Sequence, residues 1–425
     1  MKKIIKYLIV VTLFVLARLV IHRYRPRIVM VTGSVGKTST KDAIATVLAS
    51  RFLVRKSEKS FNSEFGVPFT ILGVANPWDN PFAWVSLMKQ ALALLLLPNQ
   101  YSKILVLEVG ADKSGDITRI LRIATPEAVV VTPLPDVPVH VEAYTSPEAV
   151  REEEFSPALA LPAGAPLIVP ADDPYALEGA HRTSAKVISY GATPEAGVCL
   201  ERAEFARSEE GAVIGMSAVV TTRGESRKVV VKGSVGAVQL YPVAAALAIA
   251  EVFGMSLEEA CAALEEYVPP PGRGRLLAGV SGAQIIDDSY NSSPVAVEKA
   301  LETLRDFPNA LRRIAVLGDM LELGRYSVTE HERIGALARE SADLIIAVGI
   351  RARVYALVPG TAEVQLFDTA QSAAAALVAL VRPGDVVLVK GSQSVRTERI
   401  VKALLAHEGD AALLVRQERK WQERG

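Results

Sequence analysis

The sequence predicts an α/β protein built on two mainly parallel sheets and preceded by an apolar helix. Short apolar runs alternate with helical segments along most of the 425 residues, which is typical of parallel sheets covered on both faces. Half of the residues are apolar, and Lys plus Arg and Asp plus Glu both number 47, so the composition excludes a disordered chain and indicates no nucleic-acid partner. The length favours two or three domains. We assign them to residues 1–24, 25–270 and 271–425.

Residues 4–21 form an almost wholly apolar run, interrupted only by Lys6 and Arg18 among charged residues. This length lies at the short end of the range that spans a bilayer, and basic residues flank the run on both sides. We interpret residues 1–24 as an uncleaved membrane anchor helix that need not join the core of the following domain. A cleaved signal peptide and a buried or interfacial helix are the alternatives. A second run, residues 82–97, is too short to span and is either interfacial or part of the core.

Residues 29–32 form an apolar strand that runs directly into a glycine-rich loop and a helix, the order that a phosphate-binding loop requires. Two glycines let backbone N–H groups face an anion, Lys37 can reach the terminal phosphates of a nucleotide, and Thr38 can hold Mg²⁺ through its hydroxyl. The spacing Gly-x-x-Gly-Lys-Thr is shorter than the common form, and a chance glycine-rich turn is the alternative. A P-loop, ATPase-like central domain is therefore predicted, with a nucleotide contacted by Thr32, Gly33, Ser34, Val35, Gly36, Lys37, Thr38 and Ser39.

Further predicted strands of the central domain end in polar residues, among them Glu108 after residues 104–107. Because the carboxyl ends of parallel strands meet at one edge of a sheet, we expect Thr38, Glu108 and His140 to lie together there. Residues 198–232 alternate apolar and polar side chains between turn signals, which predicts a small antiparallel excursion on the same domain.

The run Pro269-Pro270-Pro271-Gly272 predicts a linker. Beyond it, helices alternate with apolar strands at residues 284–286, 314–317, 344–348 and 386–389. This pattern predicts a second, Rossmann-like α/β domain, which lacks the Gly-x-Gly-x-x-Gly turn of dinucleotide sites. The charged tail from Arg416 is interpreted as a frayed, solvated end.

Several stretches together resemble the Mur ligase family, ATP-dependent amide ligases of cell-wall precursor synthesis. The stretches occur in one consistent order between about residue 28 and about residue 406, at residues 32–38, 62–68, 108–111, 287–294, 317–324 and 390–392. Within the family, the strongest likeness is to the member that adds D-alanyl-D-alanine to a peptidoglycan precursor peptide. The resemblance therefore implies a ligase that uses ATP and Mg²⁺ and forms an acyl phosphate, which the incoming amine then attacks.

The resemblance also implies a role for each residue of the predicted site. Lys37 would hold phosphates, while Thr38, Glu108 and His140, with a further carboxylate, would bind magnesium. The nucleotide or acyl phosphate would be approached from the C-terminal domain by Arg273, Arg275, Asp288 and Asn291, and the substrates by Asn62, Lys390, Ser392 and Arg396. Two alternatives remain open: Asp288 and its neighbour Asp287 could cap the helix that starts near Pro294, and His140 could be structural.

One departure from the family concerns a lysine that is carbamylated there and bridges magnesium. By its spacing from His140, the matching position here is Glu154. Glutamate is already an anion, but its carboxyl carbon lies closer to the backbone, by on the order of 4 Å, so its helix must approach the site or a water must bridge the gap. We predict Glu154 as a catalytic, metal-binding carboxylate. Its neighbour Glu153 and a merely solvated helix face are the alternatives.

A second departure concerns the substrates. Family members that use UDP-sugars usually carry an N-terminal domain for the uridine nucleotide, whereas here the P-loop strand follows the apolar segment directly. We expect a small-molecule or lipid-linked cell-wall precursor as acceptor and a dipeptide or amino acid as amine. A ligase for another wall polymer or poly-γ-glutamate, and a non-catalytic nucleotide-binding scaffold, are the alternatives. The need for ATP predicts a cytoplasmic enzyme, attached to the inner face of the membrane through residues 4–21 and also 82–97 if that helix is interfacial.

Overall fold

Two sheets organise the chain, as the alternation of strands and helices predicts. The computed structural model describes residues 2–57, 62–77, 80–418 and 421, with the side chains of all of these except residues 2–7 and 81. The first sheet has nine strands and the second has six, and most neighbouring strands in both are parallel. The predicted α/β class is therefore confirmed.

The nine-stranded sheet carries the glycine-rich loop at its centre. Its strands are β1 (Arg27–Thr32), β2 (Val54–Lys56), β3 (Ile104–Glu108), β4 (Ala128–Val131), β5 (Pro166–Pro170), β6 (Lys186–Gly191), β7 (Val198–Arg207), β8 (Val213–Thr222) and β9 (Glu225–Lys232). They lie in the order β2-β3-β1-β4-β5-β6-β7-β8-β9. Strands β7, β8 and β9 pair antiparallel, which confirms the predicted excursion and shows that it extends the central sheet.

Helices cover both faces of this sheet. They are α1 (Lys2–Tyr24), α2 (Lys37–Ala49), α3 (Gly66–Leu72), α4 (Pro81–Leu96), α5 (Asp116–Leu121), α6 (Pro147–Leu159), α7 (Pro174–His181), α8 (Tyr241–Val252) and α9 (Leu257–Leu264). Helices α2, α8 and α9 contribute to one apolar core, and α1, α3, α4, α6 and α7 contribute to a second one. Both faces of the central strands β1, β3, β4 and β5 are thereby buried, which accounts for their continuous apolar sequences.

The six-stranded sheet follows the proline-rich linker. Its strands are β10 (Arg275–Ala278), β11 (Gln284–Asp288), β12 (Arg312–Gly318), β13 (Leu344–Val348), β14 (Glu363–Phe367) and β15 (Asp385–Lys390), in the order β10-β11-β15-β12-β13-β14. Only β10 is antiparallel to its neighbour. The covering helices are α10 (Pro294–Asp306), α11 (Ser327–Ser341), α12 (Ala370–Leu380) and α13 (Glu398–Leu404). The two sheet regions touch, for example where the rings of Phe205 and Phe307 lie 5.3 Å apart between centroids.

Helix α1 joins the core of the nine-stranded sheet, which supports the alternative of a buried helix and gives no support to the membrane-anchor interpretation. Leu13, Leu16, Ala17 and Val20 are all buried, at no more than 7% exposure, in the apolar core that α3 and α4 share. These four residues repeat at three- and four-residue spacing, which places them on one face of the helix. Among the helices that the structure describes, none is long and apolar enough to cross a bilayer.

We expect α1 to contribute directly to the stability of the domain. Leu13→Ala would leave a cavity in the core and lower the free energy of unfolding by roughly 2–4 kcal/mol. Leu19, which is 48% exposed on the same helix, is the matched control, and Leu19→Ala should change stability by less than about 0.5 kcal/mol. Denaturant unfolding of both variants measures the difference. Equal effects would contradict the packing of α1 described above.

Candidate active site

The glycine-rich loop leaves the carboxyl end of β1 and enters α2 at Lys37. Gly33 has a φ of +111°, and a side-chain carbon there would lie 2.3 Å from the carbonyl oxygen of Thr132, so only glycine fits. Gly36, with a φ of +86°, immediately precedes α2, whose first turn carries no side-chain cap. Ser34 N–H donates to the Pro133 carbonyl at 3.1 Å and fixes the loop to the end of β4. The N–H groups at the start of α2, which has no side-chain cap, thus adjoin a rigid loop, which suits an anion.

Lys37 lies over this loop. Its ammonium group donates to the Gly33 carbonyl and lies 3.6 Å from a carboxylate oxygen of Glu154. The side chain is only 13% exposed. One partner is a carbonyl of the glycine-rich loop, and the other is Glu154 on α6, which faces the loop. The ammonium group is therefore held at the place where the sequence predicts phosphate.

Thr38 and Glu108 meet at the neighbouring strand end. The Thr38 hydroxyl donates to Glu108 Oε1 at 3.1 Å, and the other carboxylate oxygen, Oε2, is buried with no hydrogen-bond partner among the described residues. Lys41 Nζ approaches that oxygen at 3.7 Å and donates to the Ser57 carbonyl at 3.0 Å. A buried carboxylate oxygen beside a hydroxyl is a suitable oxygen pair for Mg²⁺, so these residues fit the predicted cation.

Glu154 lies on α6 with its carboxylate against the glycine-rich loop. The Ser34 hydroxyl donates to that carboxylate, and the Thr32 hydroxyl donates to the backbone carbonyl of Glu154. Helix α6 therefore approaches the loop closely, one of the two ways in which the shorter glutamate could reach the site. Glu153 points elsewhere: its carboxylate accepts the N–H groups of Gly115 and Ile117, both at 2.9 Å.

His140 contacts two carboxylates other than Glu108 and Glu154. Its Nδ1 is 2.8 Å from Glu322 of the six-stranded region, and its Nε2 is 3.7 Å from Asp112. Burial alone would lower the pKa of His140, but the hydrogen bond and charge of Glu322 outweigh burial and raise this pKa above its ordinary value. Within the part of the chain that the structure describes, no three His, Cys, Asp or Glu side chains converge as a metal site. The structure thus brings Thr38 and Glu108 together, as expected, and places His140 on a different pair of carboxylates.

A second cluster lies at the carboxyl ends of β11 and β15. Lys390 Nζ donates to Asp288 Oδ2 at 2.6 Å and to the Asn291 carbonyl at 3.0 Å, and the Gly274 N–H donates to Asp288 Oδ1 at 3.2 Å. Asp288 therefore connects Lys390 of β15 with Gly274, which lies directly before β10. It does not cap the helix that starts at Pro294. Its neighbour Asp287 is fully buried, and burial raises its pKa to about 6.

The two predicted linker arginines differ in their surroundings. The guanidinium of Arg273 lies over the ring of Tyr290, 4.0 Å from its centroid. Arg275 begins β10 and pairs in register with Asp287. Both arginines thus lie close to residues 287–290, at the point where the chain enters the six-stranded region.

The remaining predicted substrate residues are engaged inside the protein. The Asn62 carbonyl accepts the Gly110 N–H at 3.1 Å, beside the Glu108 strand end. The Ser392 hydroxyl accepts the Leu321 N–H at 2.9 Å, and the Arg396 guanidinium donates to Glu398 at 2.6 Å. Only Asn62 therefore adjoins the glycine-rich loop region, and Ser392 and Arg396 support loops of the six-stranded region.

Sequence reasoning missed three residues that complete these clusters. Lys41, which contacts Glu108, is one helical turn after Lys37, and this spacing could have indicated it. Glu322 lies within a stretch that carries the family resemblance. No pattern in the sequence indicated a role for Arg416, and its assignment to a frayed end is wrong. Arg416 is buried, and its guanidinium donates to the carbonyls of Ser289 and Tyr290 and to Glu398.

Comparisons with known proteins agree with this arrangement of two sheet regions. Residues 31–250 match the model of the Mur ligase middle domain, and residues 272–393 match the model of the Mur ligase glutamate ligase domain. The first match alone covers more than half of the chain and includes the glycine-rich loop, Glu108, His140 and Glu154. The second includes Asp288, Asn291 and Lys390.

Individual relatives are similar along most of the chain. The UDP-N-acetylmuramoyl-tripeptide--D-alanyl-D-alanine ligase of Bacillus subtilis is 28% identical over 397 residues, which cover 92% of this chain and 78% of the relative. The enzyme of the same name from Mycobacterium tuberculosis (strain CDC 1551 / Oshkosh) is 30% identical over 412 residues, covering 90% and 73%. The crystal structure of MurF ligase from Thermotoga maritima in complex with ADP superposes with a TM-score of 0.75 at 26% identity, covering 93% of this chain and 83% of that one.

Proposed function

The chain belongs to the Mur ligase family, and from this premise we propose that it is an ATP-dependent amide ligase that adds D-alanyl-D-alanine to a peptidoglycan precursor peptide. The observation that carries the proposal is the glycine-rich loop, where Lys37, Thr38, Glu108 and Glu154 converge at the start of α2. The similar Thermotoga maritima enzyme was solved with ADP, which supports ATP as the nucleotide here.

In the first step, a carboxylate oxygen of the acceptor attacks the γ-phosphorus of ATP, the bond to ADP breaks, and an acyl phosphate forms. Lys37 would exchange its contact with the Gly33 carbonyl for phosphate oxygens, and the backbone N–H groups at the start of α2 would hold further phosphate oxygens. Thr38 and Glu108 would hold Mg²⁺, which would neutralise part of the phosphate charge. Because the glycine-rich loop is fixed before substrate arrives, its backbone dipoles need little rearrangement.

In the second step, the amine nitrogen of the dipeptide attacks the carbonyl carbon of the acyl phosphate. The carbon–oxygen bond to phosphate breaks, an amide forms, and the nitrogen loses a proton. Asp288, Asn291 and Lys390 form the cluster of the six-stranded region that we assign to this side of the reaction. The contact of Glu322 with His140 supports an approach of the two regions during the reaction, because it already joins them.

We also propose a division of the catalytic part into a central domain ending near residue 270 and a C-terminal domain from residue 271. The separate sheets and the interval between the two family matches, at residues 251–271, support this division. The requirement for ATP supports a cytoplasmic location.

Substrate dependence tests the proposed function. The purified full chain should release ADP only when ATP, magnesium, UDP-N-acetylmuramoyl tripeptide and D-alanyl-D-alanine are all present. Matched reactions replace the dipeptide with D-alanine, L-alanine or glutamate and should give background rates. Release with glutamate alone would instead support a poly-γ-glutamate type of ligase, and release with no pair of substrates would support a nucleotide-binding scaffold.

A further inference from the structure

Helices α1 and α4 leave a broad apolar surface uncovered. We define the α1–α4 face by their large apolar side chains that are between 40% and 85% exposed. They are Leu8, Val11, Val15 and Leu19 on α1, and Phe82, Val85, Leu92 and Leu96 on α4. Isolated exposed apolar residues are common, but eight of them on two adjacent helices are typical of a surface that binds something.

The spacing shows that each helix exposes its apolar residues on one side. On α1 the exposed residues recur every three or four positions, opposite the buried Leu13, Ala17 and Val20. On α4 the exposed residues are separated by three, seven and four positions, which also keeps them on one side of the helix, opposite the buried Leu87 and Ala91. Because the buried sides of both helices pack into the same core, their exposed sides face away from that core together.

The two helices are also fixed to each other near their C-terminal ends. The Arg23 guanidinium on α1 donates to the Leu95 carbonyl on α4 at 2.8 Å, and the Tyr24 hydroxyl donates to the Leu94 carbonyl at 2.7 Å. These contacts join the ends of the helices through polar groups that would otherwise face solvent. The α1–α4 face is therefore a preformed surface.

The charged residues of the two helices are all basic. Neither helix contains an Asp or Glu residue, whereas Arg18, Arg23 and Lys89 are exposed on them. A second copy of the chain docked on the same face would bring these cations together, which costs free energy. An anionic bilayer surface satisfies both features, because lipid chains accept the apolar side chains and headgroups pair with the cations.

We propose that the α1–α4 face binds the surface of an anionic membrane, with both helices lying in the interface. The buried side of α1 stays in the protein core, so the helix rests on the bilayer and does not cross it. No residue of the α1–α4 face belongs to the catalytic clusters, so membrane binding does not depend on the ligase chemistry. It places a membrane-surface binding site on the central domain of the enzyme.

Vesicle co-sedimentation of the full chain tests the proposal. Binding to phosphatidylcholine vesicles that contain about 30% phosphatidylglycerol should be at least about tenfold tighter than binding to pure phosphatidylcholine, and high salt should remove this preference. The double variant Leu19→Gln/Leu96→Gln should bind anionic vesicles at least about tenfold more weakly. The matched control Leu311→Gln/Ile350→Gln changes two residues that are each 81% exposed on the other domain, and it should bind like the wild type.

Circular dichroism and ADP binding would verify that both double variants fold. Three results would overturn the proposal: no binding of the wild type to either vesicle, equal binding of Leu19→Gln/Leu96→Gln and the wild type, or a dimer of the wild type that Leu19→Gln/Leu96→Gln dissociates. The last result would assign the face to a second copy of the chain.

Discussion

Replacement of Lys37 by alanine should abolish ligase activity while leaving the fold intact. The ammonium group is held beside the glycine-rich loop, with Glu154 Oε1 3.6 Å away, and it has no place in an apolar core. Loss of one such charge at a transferring phosphoryl group should lower turnover by at least about 10³-fold. ADP release under saturating substrates measures turnover, and thermal unfolding measures stability.

Lys56→Ala is the matched control for this variant. Lys56 lies on β2 of the same sheet, is 40% exposed and pairs with Asp42 at 2.5 Å, so its loss should leave turnover nearly unchanged. Near-normal turnover in Lys37→Ala would contradict the assignment of the loop as the phosphate site. A thermal transition of Lys37→Ala far below that of the control would instead indicate a structural role for this lysine.

Replacement of Glu154 by glutamine should also remove most turnover, by on the order of 10²-fold or more. This substitution keeps the shape of the side chain but removes the negative charge that faces Lys37 and Ser34. Because the carboxylate is part of the side chain and needs no carbon dioxide to form, removal of bicarbonate and carbon dioxide should leave wild-type activity unchanged. Assays in degassed and bicarbonate-supplemented buffer measure this difference directly.

The neighbouring Glu153 provides the control for Glu154. Its carboxylate accepts two backbone N–H groups at the start of α5, so Glu153→Gln should lower the free energy of unfolding by about 1 kcal/mol and retain most turnover. Loss of turnover in Glu153→Gln, together with full activity in Glu154→Gln, would move the functional carboxylate by one residue. Full activity in both variants would exclude Glu153 and Glu154 from the mechanism.

Local order along the chain made much of the site predictable. The glycine-rich loop depends on a strand, a loop and a helix that are contiguous in sequence, and Glu108 is the last residue of β3, which pairs directly with β1. Parallel pairing brings such strand ends to one edge, so the meeting of Thr38 with Glu108 follows from topology.

Tertiary partners were less predictable. An apolar run such as residues 4–21 has the same sequence pattern whether it meets lipid or a protein core, and only the packing of Leu13 and Ala17 distinguishes the two. The contact of His140 involves Glu322, which lies in the six-stranded region. The burial of Arg416 depends on backbone carbonyls of a distant loop, which no side-chain pattern indicates.

The central claim is that amide formation proceeds through an acyl phosphate made from the acceptor carboxylate and ATP. It is tested most directly by mass spectrometry of both products after reaction of an acceptor whose terminal carboxylate carries heavy oxygen in both positions. The account predicts a product extended by D-alanyl-D-alanine that retains one heavy oxygen in its new amide, with the other heavy oxygen in inorganic phosphate. Unlabelled phosphate, or a product extended by glutamate or by a single amino acid, would contradict it.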